Sequence, residues 1–146
     1  MRKLNLSVVF ASIVISFSSL ASQPSMAAVT VIGNSIQKDK WTQEDIHNLY
    51  AGNIKPRQLL LLDQAEGQTA RTEFYEKLVT DNPNQIKQQR SILVFSGERA
   101  PAVLTDDQAV YEYVKSHSNA IGYVSGGFWE KNKSKVTESV ELFTLK

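Results

Sequence analysis

The chain has 146 residues, 42% hydrophobic and 21% charged, with a formal net charge of +1 and no cysteine. This length suits one domain with one core, and the ordinary composition argues against disordered, collagen-like or polytopic membrane chains. Lack of Cys excludes disulfides, a thiol nucleophile, thiolate zinc sites and an N-terminal lipidated Cys, while near-neutral charge gives no nucleic-acid footprint.

The chain opens with Arg2 and Lys3, then an uncharged run from Leu4 to Ala21 rich in Val, Ile, Phe, Leu, Ser and Ala. Pro24 and the small residues of Ser25-Met26-Ala27 follow. This order predicts a secretory signal peptide over residues 1–27, cleaved after Ala27, with cleavage after Ala21 as the alternative. An uncleaved membrane anchor is the competing reading, since the run approaches bilayer-spanning length. Asn5 and the interspersed serines weaken it, so no stable anchor is expected. Removing residues 1–27 takes away Arg2 and Lys3 and leaves one more acid than base. Residues 28–146 are then expected to form the exported domain, in a compartment such as the bacterial periplasm, where disulfides are permitted but not required.

Val29 to Ile32 is a β-branched run closed by Gly33-Asn34, which predicts a strand and a breaker. Thr42 is placed to cap a helix whose apolar positions are Ile46, Leu49 and Tyr50, with Trp41 stapling to Ile46 and Gly52 ending it. Leu59 to Leu62 reads as a strand covered on both faces, as parallel strands are. Asp63 to Thr69 is expected to turn around Gly67 into a helix with Ala70, Phe74, Leu78 and Tyr75 on one face. Asn82 and Pro83 suit the cap and first position of a third helix. Ile92 to Phe95 fits helix or strand equally well. Thr105 to Gln108 reads as a capping box for a helix with Ala109, Val110, Tyr113 and Val114 in one stripe, ending near Asn119. Ile121 to Val124 predicts a strand, Ser125-Gly126-Gly127 a flexible turn, and Val140 to Leu145 a terminal strand. The order β-α-β-α-α-α-β-β implies an α/β layer structure with a mixed sheet.

His47 and His117 have no partner at metal-ligand spacing, so solvated or capping roles are expected, with no metal and no cofactor. No nucleophile elbow, Walker loop or dinucleotide fingerprint occurs. Paired carboxylates could meet only in space, and no sequence feature favours an enzyme. Lys131, Lys133 and Lys135 read as a solvated loop, too sparse for nucleic acid. The stretch Asp63 to Arg71 differs in kind. A strand running through a glycine turn into a helix gathers free N–H groups at Gly67 to Ala70, which favours an anion. Gln68 and Thr69 would add donors and Arg71 a bidentate fork. In the bland alternative Glu66 or Thr69 caps the helix and Arg71 points to water.

Leu49-Tyr50-Ala51-Gly52, Leu62-Asp63-Gln64, Glu66-Gly67, Arg71, Phe74-Tyr75, Val94-Phe95-Ser96-Gly97, Pro101 and Asn119 to Val124 occur in a fixed order. From Val29 to about Leu145 the chain thereby resembles small exported proteins related to phosphate-transporter substrate-binding proteins, the type 2 periplasmic-binding-protein-like group. The resemblance implies a single-lobe α/β domain with a mixed central sheet flanked by helices. It further implies a non-enzymatic module, with phosphate or a related anion and a periplasmic or membrane transporter protein as candidate partners. The candidate ligand residues are Asp63, Glu66, Gly67, Gln68, Thr69 and Arg71. In full-length relatives this turn carries an Arg before the Asp and a Ser-Gly-Thr-like sequence. Here Glu66-Gly67-Gln68 stands in that place and Arg71 is a substitute, not a match. With one lobe, a dianion would be poorly desolvated. A partner-binding or scaffold protein that keeps the fold without the ligand is therefore the alternative.

Overall fold

The computed structural model describes residues 28–34, 40–79, 82–135 and 139–145. The expected signal peptide, residues 1–27, lies outside them. Strand β1 (Val29–Asn34) is followed by α1 (Gln43–Ala51), β2 (Leu60–Gln64) and α2 (Thr69–Phe74), which widens into a π-helical turn over Tyr75–Val79. Next come α3 (Pro83–Phe95), β3 (Ala102–Leu104), α4 (Asp107–Ser116), β4 (Ala120–Ser125), α5 (Gly126–Asn132) with a 3-10 turn at Lys133–Lys135, and β5 (Ser139–Leu145).

The five strands form one sheet in the order β3-β2-β4-β1-β5. β2 runs parallel to β3 and β4, while β1 is antiparallel to β4 and β5, so the sheet is mixed as expected. Alternation along the strands sorts the core into two layers. Val29, Val31, Leu61, Ile121 and Tyr123 face α1, α2 and α3. Ile32, Leu62, Ala120 and Val124 face α4 and α5. Helices thus cover both sheet faces, which explains the unbroken apolar run entering β2.

Local chemistry sets the helix ends. Thr42 Oγ1 accepts from Asp45 N at 3.1 Å and Thr42 N donates to Asp45 Oδ2 at 2.9 Å, a reciprocal cap. Gly52 ends α1 at φ 85°, and Trp41 packs on the same cluster as Ile46. Asn82 and Pro83 start α3 as expected, and Ile92 to Phe95 are its last residues.

Several expectations are corrected. Gly33 and Asn34 continue β1 because both have partners in β5. β2 begins one residue later than expected and extends through Asp63 and Gln64, which pair with Val103 and Leu104. Asp106, not Thr105, caps α4, accepting from Ala109 N at 2.9 Å. Ser116 ends that helix, before Asn119. Ser125-Gly126-Gly127 is not a flexible turn: Ser125 caps α5, which begins at Gly126. The lysine segment extends this helix rather than forming a loop. β3 and α5 have no counterpart in the sequence reading, being too short for a periodic signal.

Candidate functional site

β2 pairs with β4 only at Leu60 and Leu61, and its remaining residues pair with β3 instead. Side chains span the fork that opens between β2 and β4. Tyr50 of α1 donates its hydroxyl to Leu62 O at 2.7 Å and lies 3.2 Å from Ile121 O. Gln64 Nε2 donates to Tyr123 O at 3.0 Å and to Asp107 Oδ1 at 2.8 Å. Asp107 in turn accepts from Ser125 N at 3.0 Å and Ser125 Oγ at 2.5 Å. Helix starts and strand ends are therefore locked together around the fork.

Asp63 occupies its centre, 2% exposed. A buried carboxylate needs several donors to offset its lost hydration. Here Oδ1 accepts from Gln64 N at 2.8 Å and, in a very short hydrogen bond, from the Tyr123 hydroxyl. Oδ2 accepts from the Tyr75 hydroxyl at 2.8 Å. Two guanidiniums add charge: Arg71 Nε lies 3.4 Å from Oδ1 and Arg90 Nη1 3.8 Å from Oδ2. Arg90 is also held by Tyr50 O, at 3.0 Å from Nε and 2.7 Å from Nη2, and donates to the Tyr75 hydroxyl at 2.6 Å. Both guanidiniums lie over the Tyr75 ring, with centroid distances of 5.2 and 5.4 Å. Phe74 stacks on Tyr123 at 3.9 Å and closes the cluster from below.

Burial, then the Asp63 charge, pushes the Tyr50, Tyr75 and Tyr123 hydroxyls above the usual phenol value of 10.0. All three stay protonated and serve Asp63 or the backbone as donors. Arg71 is pulled down by partial burial but raised on balance by Asp63, Tyr75 and Tyr123, so it remains a cation.

Of the six expected site residues, the structure brings Asp63 and Arg71 together. Gly67 makes the turn at φ 88°, with open space around its α-carbon. Glu66 and Thr69 are exposed, and neither forms a side-chain hydrogen bond or ion pair among the described residues. Neither caps α2: its cap residue is Gln68, whose side chain makes no capping bond. Arg71 does not point wholly to water, since its Nε is buried; its terminal nitrogens form no hydrogen bond among the described residues. Arg90, Tyr50, Tyr75 and Tyr123 were not among the candidate residues. Tyr75 could have been found from its i+4 spacing to Arg71. Arg90 carries no local signal, because α3 folds back onto the fork only in three dimensions.

His47 is half-buried within α1 rather than solvated, whereas His117 stands at the end of α4, as a capping role requires. His47 Nδ1 contacts Leu78 O at 2.8 Å, and His117 stacks on Tyr113 at 4.0 Å. Among the described residues no group of three His, Cys, Asp or Glu could hold a metal, and no helix is long and apolar enough to cross a membrane.

No protein-family model matches the sequence, and no curated protein matches it. Solved structures do. The PstS protein of Borrelia burgdorferi is similar with a TM-score of 0.54 at 15% identity, over 75% of this chain and 44% of that one. A putative phosphate ABC transporter substrate-binding protein from Clostridium perfringens, solved with bound phosphate, is similar with a TM-score of 0.50 at 16% identity, over 79% and 53%. The chain thus spans about half the length of these structures. Its fold, a mixed sheet flanked by helices, is related to part of these substrate-binding protein structures.

Proposed function

We propose that this protein is an exported, non-enzymatic oxyanion-binding module, with inorganic phosphate or a close analogue as ligand at the corner between β2 and α2. One observation carries the reading. Arg71 is anchored by Asp63 and by the Tyr75 ring, yet its terminal nitrogens form no hydrogen bond among the described residues. A guanidinium oriented in this way presents a planar fork suited to two oxygens of one anion. Two guanidiniums against one carboxylate also leave the cluster with one surplus positive charge. Gln68 N is already used within the turn, donating to Ala65 O at 3.2 Å, so the backbone N–H groups of Gly67 and Thr69 and the side chains of Gln68 and Thr69 complete the proposed site, with Asp63 holding it from behind. Glu66 opposes an anion electrostatically, which keeps the affinity modest. The fold favours a role beside an anion transporter, and the N-terminal segment favours delivery to the periplasm by a signal peptide cleaved after Ala27.

Calorimetric titration of the chain from Ala28 onward with inorganic phosphate and with sulfate tests this reading. Saturable heat with phosphate, weakened at least about tenfold by Arg71→Ala, is the expected result. Absence of heat at millimolar phosphate, or undiminished binding by the variant, overturns it. Arg90 supports the second reading, a partner-binding module that has kept the fold without the ligand, because Tyr50, Tyr75 and Asp63 already hold this guanidinium. That reading takes over if phosphate gives no heat.

A further inference from the structure

At the opposite end of the sheet, where β2 and β4 begin, an open groove of about 910 Å³ is lined by Trp41, Ile54, Lys55, Arg57, Leu59 and Asn119, among others. Its floor is fixed by backbone contacts. Leu60 N donates to Asn119 O at 2.9 Å, Asn119 Nδ2 donates to Gln58 O at 2.6 Å, and Leu59 N closes a turn onto Pro56 O at 2.9 Å. Leu49 and Pro56 also line a shallow neighbouring depression bordered by Val94, Arg99 and Pro101. The larger concavity is an open trough, whereas the depression beside it reaches the Asp63 cluster through Arg90. The trough combines apolar surface with two cations, Lys55 and Arg57, and no acidic residue lines it among the described residues. Glu98 approaches Lys55 at 3.7 Å from outside the lining.

Arg57 is the informative residue. It is the non-glycine residue with positive φ, at 52°, among the described residues. A side chain in this left-handed region carries a steric penalty that glycine avoids. Strain retained by a residue that forms no ion pair among the described residues indicates a use for the side chain itself. A small anion would leave most of the groove and its apolar walls unfilled.

We propose that this trough binds an extended, acidic segment of a partner protein that also carries bulky apolar residues. Lys55 and Arg57 meet its carboxylates, while Trp41, Ile54 and Leu59 receive its apolar side chains. The inference is independent of the proposed phosphate site, which lies at the other end of β2.

Fluorescence anisotropy of a labelled synthetic peptide alternating aspartate with leucine and phenylalanine tests it on the chain from Ala28 onward. Saturable binding that weakens with salt, and that falls about tenfold in Arg57→Gly, is expected. Because glycine suits this backbone, Arg57→Gly should keep or raise the Tm and retain phosphate heats, which separates loss of the trough from misfolding or loss of the other site. Equal binding of a peptide with asparagine in place of aspartate, or unchanged binding by Arg57→Gly, overturns the proposal. So does sedimentation with phosphatidylglycerol vesicles in the absence of peptide binding, which would make the surface a membrane contact.

Discussion

Asp63 shows how one buried charge can organise its neighbours. Removing it leaves two guanidiniums and two phenols without their acceptor. Asp63→Asn is therefore expected to destabilise the fold by about 2–3 kcal/mol in urea unfolding, below the range for fully buried pairs because both arginines reach water. Tyr123→Phe removes one donor from the same carboxylate and should cost about 1–2 kcal/mol. The phenols also impose an alkaline limit. Their folded values lie above the unfolded value of 10.0. Above that pH the unfolded chain has released protons that the folded chain retains, so stability falls as pH rises. Unfolding free energy should hold steady between about pH 7 and 9 and decline above about pH 10. The decline should be shallower in Tyr75→Phe than in the native chain. Asp63, Arg71 and Tyr75 stand close enough in sequence for a strand-turn-helix corner to be read from them. Their convergence with Arg90 and Tyr123 was not legible, because buried charge clusters depend on which elements pack together.

Among the elements, those with strong local chemistry were readable. α1 has a reciprocal cap, an apolar stripe and a glycine stop, and it forms where these signals place it. α3 starts at its Asn-Pro pair. β3 could not be read because its three residues are not apolar-buried: Val103 is 64% exposed, and the strand is defined by pairing with β2. α5 was hidden by two glycines that resemble a turn. Gly126 is required there, since a β-carbon would stand 2.8 Å from the Ala28 β-carbon. Gly122 in β4 is constrained more tightly. A β-carbon would lie 2.6 Å from Val110 Cγ1 and 3.2 Å from Leu62 Cβ, where α4 crosses the sheet. Gly122→Ala should cost about 2 kcal/mol by forcing α4 outward, measurable as a lowered denaturation midpoint with unchanged m-value.

For the whole molecule, alternation of strands and helices was enough to predict an α/β layer structure, and the likeness to substrate-binding proteins supports it. Strand order was not legible, because nothing local says that the first strand lies between the fourth and the fifth. That placement has a consequence for how the chain becomes ordered. Val29 and Thr30 take Leu145 and Thr144 on one side and Ser125 and Val124 on the other. Among the described residues β1 pairs with β4 and β5 alone, so its ladder closes only after residues 35–119 have emerged. Late closure across so long a loop slows collapse to the native state. A chain threaded through a membrane pore with β1 ahead would thus keep that strand unpaired until β4 and β5 have followed it through.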